Sequence, residues 1–244
     1  MSIQDKIHTQ LSPNHNERQG GPADMLLLHY TGMETGEGAL ARLCDPEAQV
    51  SSHYLVFEDG RIVSLVDETR RAWHAGVASW AGDTDINSRS IGIEIVNPGH
   101  DLGYPDFPDV QIGAVMALSA DIVQRCGIVG ARVLAHSDVA PGRKADPGEK
   151  FPWDALAEAG VGHWVPSVEQ LEGPILSLGD RGDMVTEFQF QLADYGYGIS
   201  VDGWFGAVTA DVVTAFQRHF RPEMVDGVAD LSTVGTLRLL RDAR

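Results

Sequence analysis

Apolar residues in this chain change their period several times, and each change marks an element. Residues 24 to 31, DMLLLHYT, form a short unbroken apolar run ending in a histidine, the pattern of a buried strand. Residues 51 to 67, SSHYLVFEDGRIVSLVD, are two β-rich runs around Asp59-Gly60, which predicts a hairpin. In SRSIGIEIVNPG, residues 88 to 99, Ile91, Ile93 and Ile95 alternate with Gly92, Glu94 and Val96. One face of that strand is therefore apolar, with Glu94 on the other. From about Pro108 the period becomes helical: Ile112, Val115, Met116, Ser119, Ile122, Val123 and Cys126 form one stripe, and Gly127 supplies a stop. ARVLAHSD is then a further strand, again with a histidine at its exit. Strands interleaved with helices predict an α/β fold, a mixed β-sheet flanked by helices.

The pattern shifts after Leu156. Residues 158 to 174 lack a sustained period and carry Gly and Pro, so they read as a linker between a first domain, 1–157, and a second, 175–244. The second holds two or three short amphipathic helices, as in VTEFQFQLADYGY and AVTADVVTAFQRHF. VDGWFGAVT and VDGVADLST echo each other as Asp-Gly turns opening helices, an echo too short to predict a repeat array.

Composition narrows the function classes. Of 244 residues, 35 are acidic and 18 basic, a formal net charge of -17, which argues against a grip on nucleic acid phosphates or anionic lipid. No window approaches the ~18 apolar residues of a membrane span, and the first twenty residues lack an apolar signal core. The expected location is thus cytoplasmic for the sequence as written, or the cell envelope if a signal was trimmed. Cys44 and Cys126 read as buried free thiols, and a monomer is favoured.

The candidate chemistry gathers in AHSDVAPGRKADPGEKFPW, residues 135 to 153, where prolines and glycines exclude a long helix. His29 and His136 each stand where a strand leaves the core, and on adjacent strands they could share one metal ion. Asp146, held extended by Pro147, is the third candidate ligand, and Lys144 two residues earlier shares its face. Two His and one Asp leave an open position on zinc, as in a catalytic site. Glu94 is then the candidate general acid/base and Lys144 the candidate for holding an oxyanion. His53 and His74 line or buttress such a site, or are simply packing residues. His136-Ser137-Asp138 also fits the H-x-D of non-haem iron sites, with His163 or His219 as third ligand.

LLLHYTGM, SSHYLVFEDGRIVSLVDE, RAWHAG, SIGIEIVN and LAHSDVAPGRKADPGEKFPW resemble, in order and spacing, the zinc-dependent N-acetylmuramoyl-L-alanine amidases of the amidase-2 group, over roughly residues 22 to 157. The resemblance implies one Zn2+ per chain on His29, His136 and Asp146, with Glu94 and Lys144 catalytic. It also implies Trp73 and His74 near the substrate cleft, and His53 is a further candidate substrate contact. Ser52 stands where some relatives carry a tyrosine, which fits the branch that uses a glutamate. Residues 176 to 240 resemble the small three-helix peptidoglycan-binding domain, through Phe188-Gln189, Phe216-Gln217 and Asp202 to Gly206, and Trp204 is its candidate contact. The implied reaction is hydrolysis of the amide between the lactyl group of N-acetylmuramic acid and L-alanine, in peptidoglycan or muropeptides. The rival is a non-catalytic peptidoglycan-recognition protein, which keeps the fold and loses a ligand.

Overall fold

A computed structural model describes residues 3–169, 173 and 175–244. Its strands are β1 (Ile7–Thr9), β2 (His15–Glu17), β3 (Met25–Tyr30), β4 (Tyr54–Val56), β5 (Ile62–Ser64), β6 (Arg70–Ala72), β7 (Ser90–Ile95) and β8 (Val133–Ala135). The helices are α1 (Gly36–Cys44), α2 (Ile86–Arg89), α3 (Asp109–Cys126), α4 (His136–Val139), α5 (Trp153–Glu158), α6 (Asp183–Tyr195), α7 (Ala207–Phe220) and α8 (Leu231–Asp242).

Six strands form one mixed sheet in the order β1-β5-β4-β7-β3-β8, and β2 pairs with β6 beside it. The hairpin forms as expected between β4 and β5, with Gly60 in the left-handed region at its turn. Strands β4, β7, β3 and β8 run parallel, so their C-terminal ends share one edge. Leu26, Leu28, Ile91, Ile93, Ile95 and Val133 pack on one face against α3. The helix buries Gln111, Val115, Leu118, Ser119 and Ile122, a stripe turned from the expected one. Gln111 is drawn inward because its amide donates to Val56 O and Val96 O, two strand carbonyls that lie under the helix.

The opposite face is shared. Met25, Leu27 and Leu134 of the sheet join Trp80, Val139 and Ala140 in one apolar cluster with Phe188, Leu192, Val212, Phe216 and Phe220 of the C-terminal helices. The expected linker is packed down: Val161 is buried with Leu156, His163 Nδ1 lies 2.9 Å from Tyr195 Oη, and Val168 N donates to Thr236 Oγ1. Residues 170–172 and 174 of that segment lie outside the described residues.

The echo between the two Asp-Gly turns is a structural repeat. Gln189 Oε1 accepts from Asp202 N and Gly203 N while its amide donates to Asp202 Oδ1 and Trp204 O. Gln217 does the same with Asp226 N, Gly227 N, Asp226 Oδ1 and Val228 O. Each buried Gln thus satisfies its amide on one turn and ties that turn to the preceding helix.

Candidate metal centre

Strand register builds the site. His29 on β3 stands opposite Glu94 on β7, and Leu28 stands opposite Ala135 on β8, so His136 follows next to His29. Paired positions share a face, so His136, His29 and Glu94 form a row at the C-terminal edge of three adjacent parallel strands. In open α/β sheets this is where ligands bind. The four residues after Ala135 make one helical turn, α4, despite the proline and glycine content around it. It then doubles back so that Asp146 O accepts from Ser137 N at 3.0 Å, and the Asp146–Pro147 bond is cis.

His29 Nδ1, His136 Nδ1 and Asp146 Oδ2 lie 2.9 to 3.0 Å from one another, and all three residues are buried. Among the described residues they are the one group of His, Cys, Asp or Glu arranged to hold a metal. The outer ring nitrogens fix the tautomers. Ser90 Oγ gives its proton to Ile86 O and faces His74 Nε2, leaving His74 Nδ1 as an acceptor 3.0 Å from His29 Nε2. His136 Nε2 donates to Ala75 O at 3.0 Å. Both inner nitrogens therefore present lone pairs toward each other and toward a carboxylate, an arrangement that calls for a cation. Two imidazoles and one carboxylate oxygen suit zinc.

Burial holds His29 down at about 4, helped by His136, while Asp146 only partly offsets this. Burial pushes Asp146 upward, but His136 and His29 outweigh it and keep the carboxyl well below the usual range. A neutral His29 beside an ionised Asp146 is the donor state a metal needs. Glu94 goes the other way: burial raises it well above its ordinary value, Asp146 adds to the rise and Lys144 opposes it. One of its carboxyl oxygens is buried with no hydrogen-bond partner. Glu94 also lines a small cavity with Thr31, Met33, Ala39, Leu43 and Val50, so it faces a cleft as the strand alternation predicts. Lys144 is half-buried, and its charge acts on both Glu94 and His29.

The other expected contacts lie as follows. His53 is fully buried: its Nδ1 accepts from Gly92 N at 2.9 Å and its Nε2 faces Arg70 O at 3.1 Å, so no face is left for a substrate. His74 is also buried, behind His29 rather than beside a substrate, and Asn87 Oδ1 anchors it through His74 N and Ala75 N. Trp73 is half-buried, with its indole donating to Asn16 Oδ1. Trp204 is 45% exposed beside a cavity in the C-terminal helices, with Arg181 stacked over its ring. Ser52 is buried and donates to Tyr54 O. Cys44 and Cys126 are free and half-buried rather than buried, each at the margin of its apolar cluster.

The H-x-D reading fails, because Asp138 turns its carboxylate away from His136 toward His219 and Tyr197, and His163 bonds Tyr195. Two supporting residues carry no sequence signal for the role they play. Arg143 donates to Ala75 O and Val77 O, strapping the ligand loop to the turn after His74. Asp138 reads as a local cap, which it is through Ala135 N, but its other partners lie 59 and 81 positions away.

Residues 19–149 match the family described as N-acetylmuramoyl-L-alanine amidase, and residues 181–237 match a peptidoglycan binding domain. N-acetylmuramoyl-L-alanine amidase AmiD of Escherichia coli is 38% identical over 222 residues, 86% of this chain and 79% of that protein. Its complex with anhydro-N-acetylmuramic acid-L-Ala-D-gamma-Glu-L-Lys has a TM-score of 0.79 over 93% of this chain and 92% of the other, at 36% identity. AmpDh3 of Pseudomonas aeruginosa, solved with an anhydromuramic pentapeptide, has a TM-score of 0.73 at 32% identity over 91% of this chain and 92% of the other. The 1,6-anhydro-N-acetylmuramyl-L-alanine amidase AmpD of Escherichia coli is 41% identical over 147 residues, 53% of this chain and 78% of AmpD.

Proposed function

Because this chain belongs to the N-acetylmuramoyl-L-alanine amidase family, we propose that it hydrolyses the amide joining the lactyl group of N-acetylmuramic acid to L-alanine. The observation that carries the reading is the triangle of two imidazole nitrogens and one carboxylate oxygen, with Glu94 next in the same row.

His29, His136 and Asp146 would hold one zinc ion, which when bound supplies Lewis acidity toward the amide carbonyl and toward water. Glu94 takes the proton of the attacking water and returns it to the leaving amine nitrogen. A carboxyl raised by burial is a stronger base toward the water's proton than an ordinary glutamate. The Lys144 ammonium holds the negative charge that develops on the carbonyl oxygen. His74 and Ala75 O fix the ring orientation of the two histidine ligands.

AmiD and AmpDh3 are solved with anhydromuramic peptides, which supports soluble fragments of that class as substrates here. The C-terminal helices, through Trp204, would hold the glycan of intact wall. The non-catalytic rival is disfavoured because none of the three ligands, nor Glu94, is replaced. The test is peptide release from an anhydro-muropeptide beside intact sacculi. A zinc-loaded preparation that releases no peptide from either would overturn the enzyme reading.

A further inference from the structure

We propose that α7 of the C-terminal helices positions the loop that carries His136, Lys144 and Asp146, with His219 and Arg218 as positioning residues for the amidase reaction. The proposal rests on the reading of His136 and Asp146 as metal ligands.

Residues 136 to 149 contain one helical turn and otherwise no regular structure, so the loop needs support from outside itself. That support comes from one helix at three points. At the start of the loop, Asp138 is fully buried; its Oδ2 accepts from Ala135 N and lies 2.7 Å from His219 Nδ1, and its Oδ1 accepts from Tyr197 Oη at 2.7 Å. In the middle, Asp211 packs so closely on Gly142 that a Cβ there would lie 2.4 Å from its Oδ2. At the end, Arg218 Nε lies 3.4 Å from Glu149 Oε2. Glu149 in turn faces His100 Nε2 at 3.2 Å, and His100 Nδ1 lies 3.0 Å from Tyr30 Oη, the residue after His29.

A module that only concentrated the enzyme at the wall would need no buried polar contact with the catalytic loop. Here a buried carboxylate two residues from a ligand takes two of its three partners from the C-terminal module, His219 of α7 and Tyr197 between α6 and α7. Such a group is costly to bury when its partners are removed. The His219 ring is itself clamped, stacked 3.7 Å from Trp153 and 3.8 Å from Phe220, so it cannot swing away without opening the interface. The helices therefore hold the metal ligands in place even when the substrate is a small fragment that never touches Trp204.

The experiment compares His219→Ala, His219→Asn and Tyr197→Phe in the full chain. Zinc retention against a chelator is read by metal content, kcat and KM on a soluble anhydro-muropeptide, and binding on sacculi. For His219→Ala the expected result is zinc retention weakened roughly 10-fold, with kcat lowered, KM unchanged and sacculus binding unchanged. His219→Asn, whose amide N–H can reach Asp138, restores most of both losses. Should His219→Ala fail to fold, Tyr197→Phe carries the test: it deletes one hydroxyl and is expected to weaken zinc retention by a smaller factor. Parental zinc retention and kcat in folded His219→Ala, or in Tyr197→Phe if that is the folded variant, would overturn the proposal. Equal impairment of the Ala and Asn variants would overturn it as well. His136→Ala that still holds zinc would instead sink the ligand reading, and it is measured with α7 untouched.

Discussion

Glu94 sits opposite His29 with one carboxyl oxygen buried and unpartnered, and Lys144 is the cation that opposes its protonation. Glu94→Gln keeps the shape and removes the proton acceptor, so zinc content should be retained while kcat falls by about 10²- to 10⁴-fold. Lys144→Met removes a charge that lowers the Glu94 pKa, so the acid limb of the kcat/KM profile should move to higher pH as well as losing height. A limb that stays in place would remove Lys144 from contact with the base. His53 belongs to stability. Burial holds it at about 4 against an ordinary 6.5. The unfolded chain therefore binds the extra proton between those values, and stability falls as pH drops from 6.5 toward 4, by on the order of 3 kcal/mol at the lower end. Urea titrations at pH 7 and pH 4.5 check this, and the fall should shrink in His53→Gln.

Gly92 marks a point where elements approach one another too closely for a side chain. A Cβ on Gly92 of β7 would sit 2.7 Å from the His74 ring, which backs His29. Gly92→Ala should therefore push His74 against His29, cost about 1 to 3 kcal/mol of stability and weaken zinc retention. Calorimetry and metal content read the two effects separately. The strands themselves were legible, because alternation in residues 88 to 99 and the unbroken run at 24 to 31 follow directly from which faces are buried. The α3 stripe was less so. Gln111 turns inward for two strand carbonyls, a demand set by the sheet and invisible in the period of the helix. The pairing of Gln189 and Gln217 with their Asp-Gly turns was hidden for a similar reason: the repeat lies in hydrogen bonds, not in sequence length.

Across the whole molecule, the C-terminal helices complete a face of the sheet. A chain cut after residue 157 would expose Met25, Leu27, Trp80 and Val139 and strip Asp138 of two partners. It should unfold at lower temperature and aggregate, as thermal scanning and light scattering would show. Recovery of a monomeric, equally stable fragment would contradict the shared core.

The sequence by itself determined the order of β3, the β4–β5 hairpin, β7, α3 and β8, the alternation that turns Glu94 to a cleft, and the residue types that make His29, His136 and Asp146 able to share a metal. These follow from local periodicity and side-chain chemistry, which a sequence carries directly. Only the tertiary structure decided that His53 and His74 lie behind the site, that Asp138 faces the second module, and that α7 backs the ligand loop. Each of those depends on contacts between residues tens of positions apart, where burial and hydrogen-bond satisfaction choose among partners that no local pattern distinguishes.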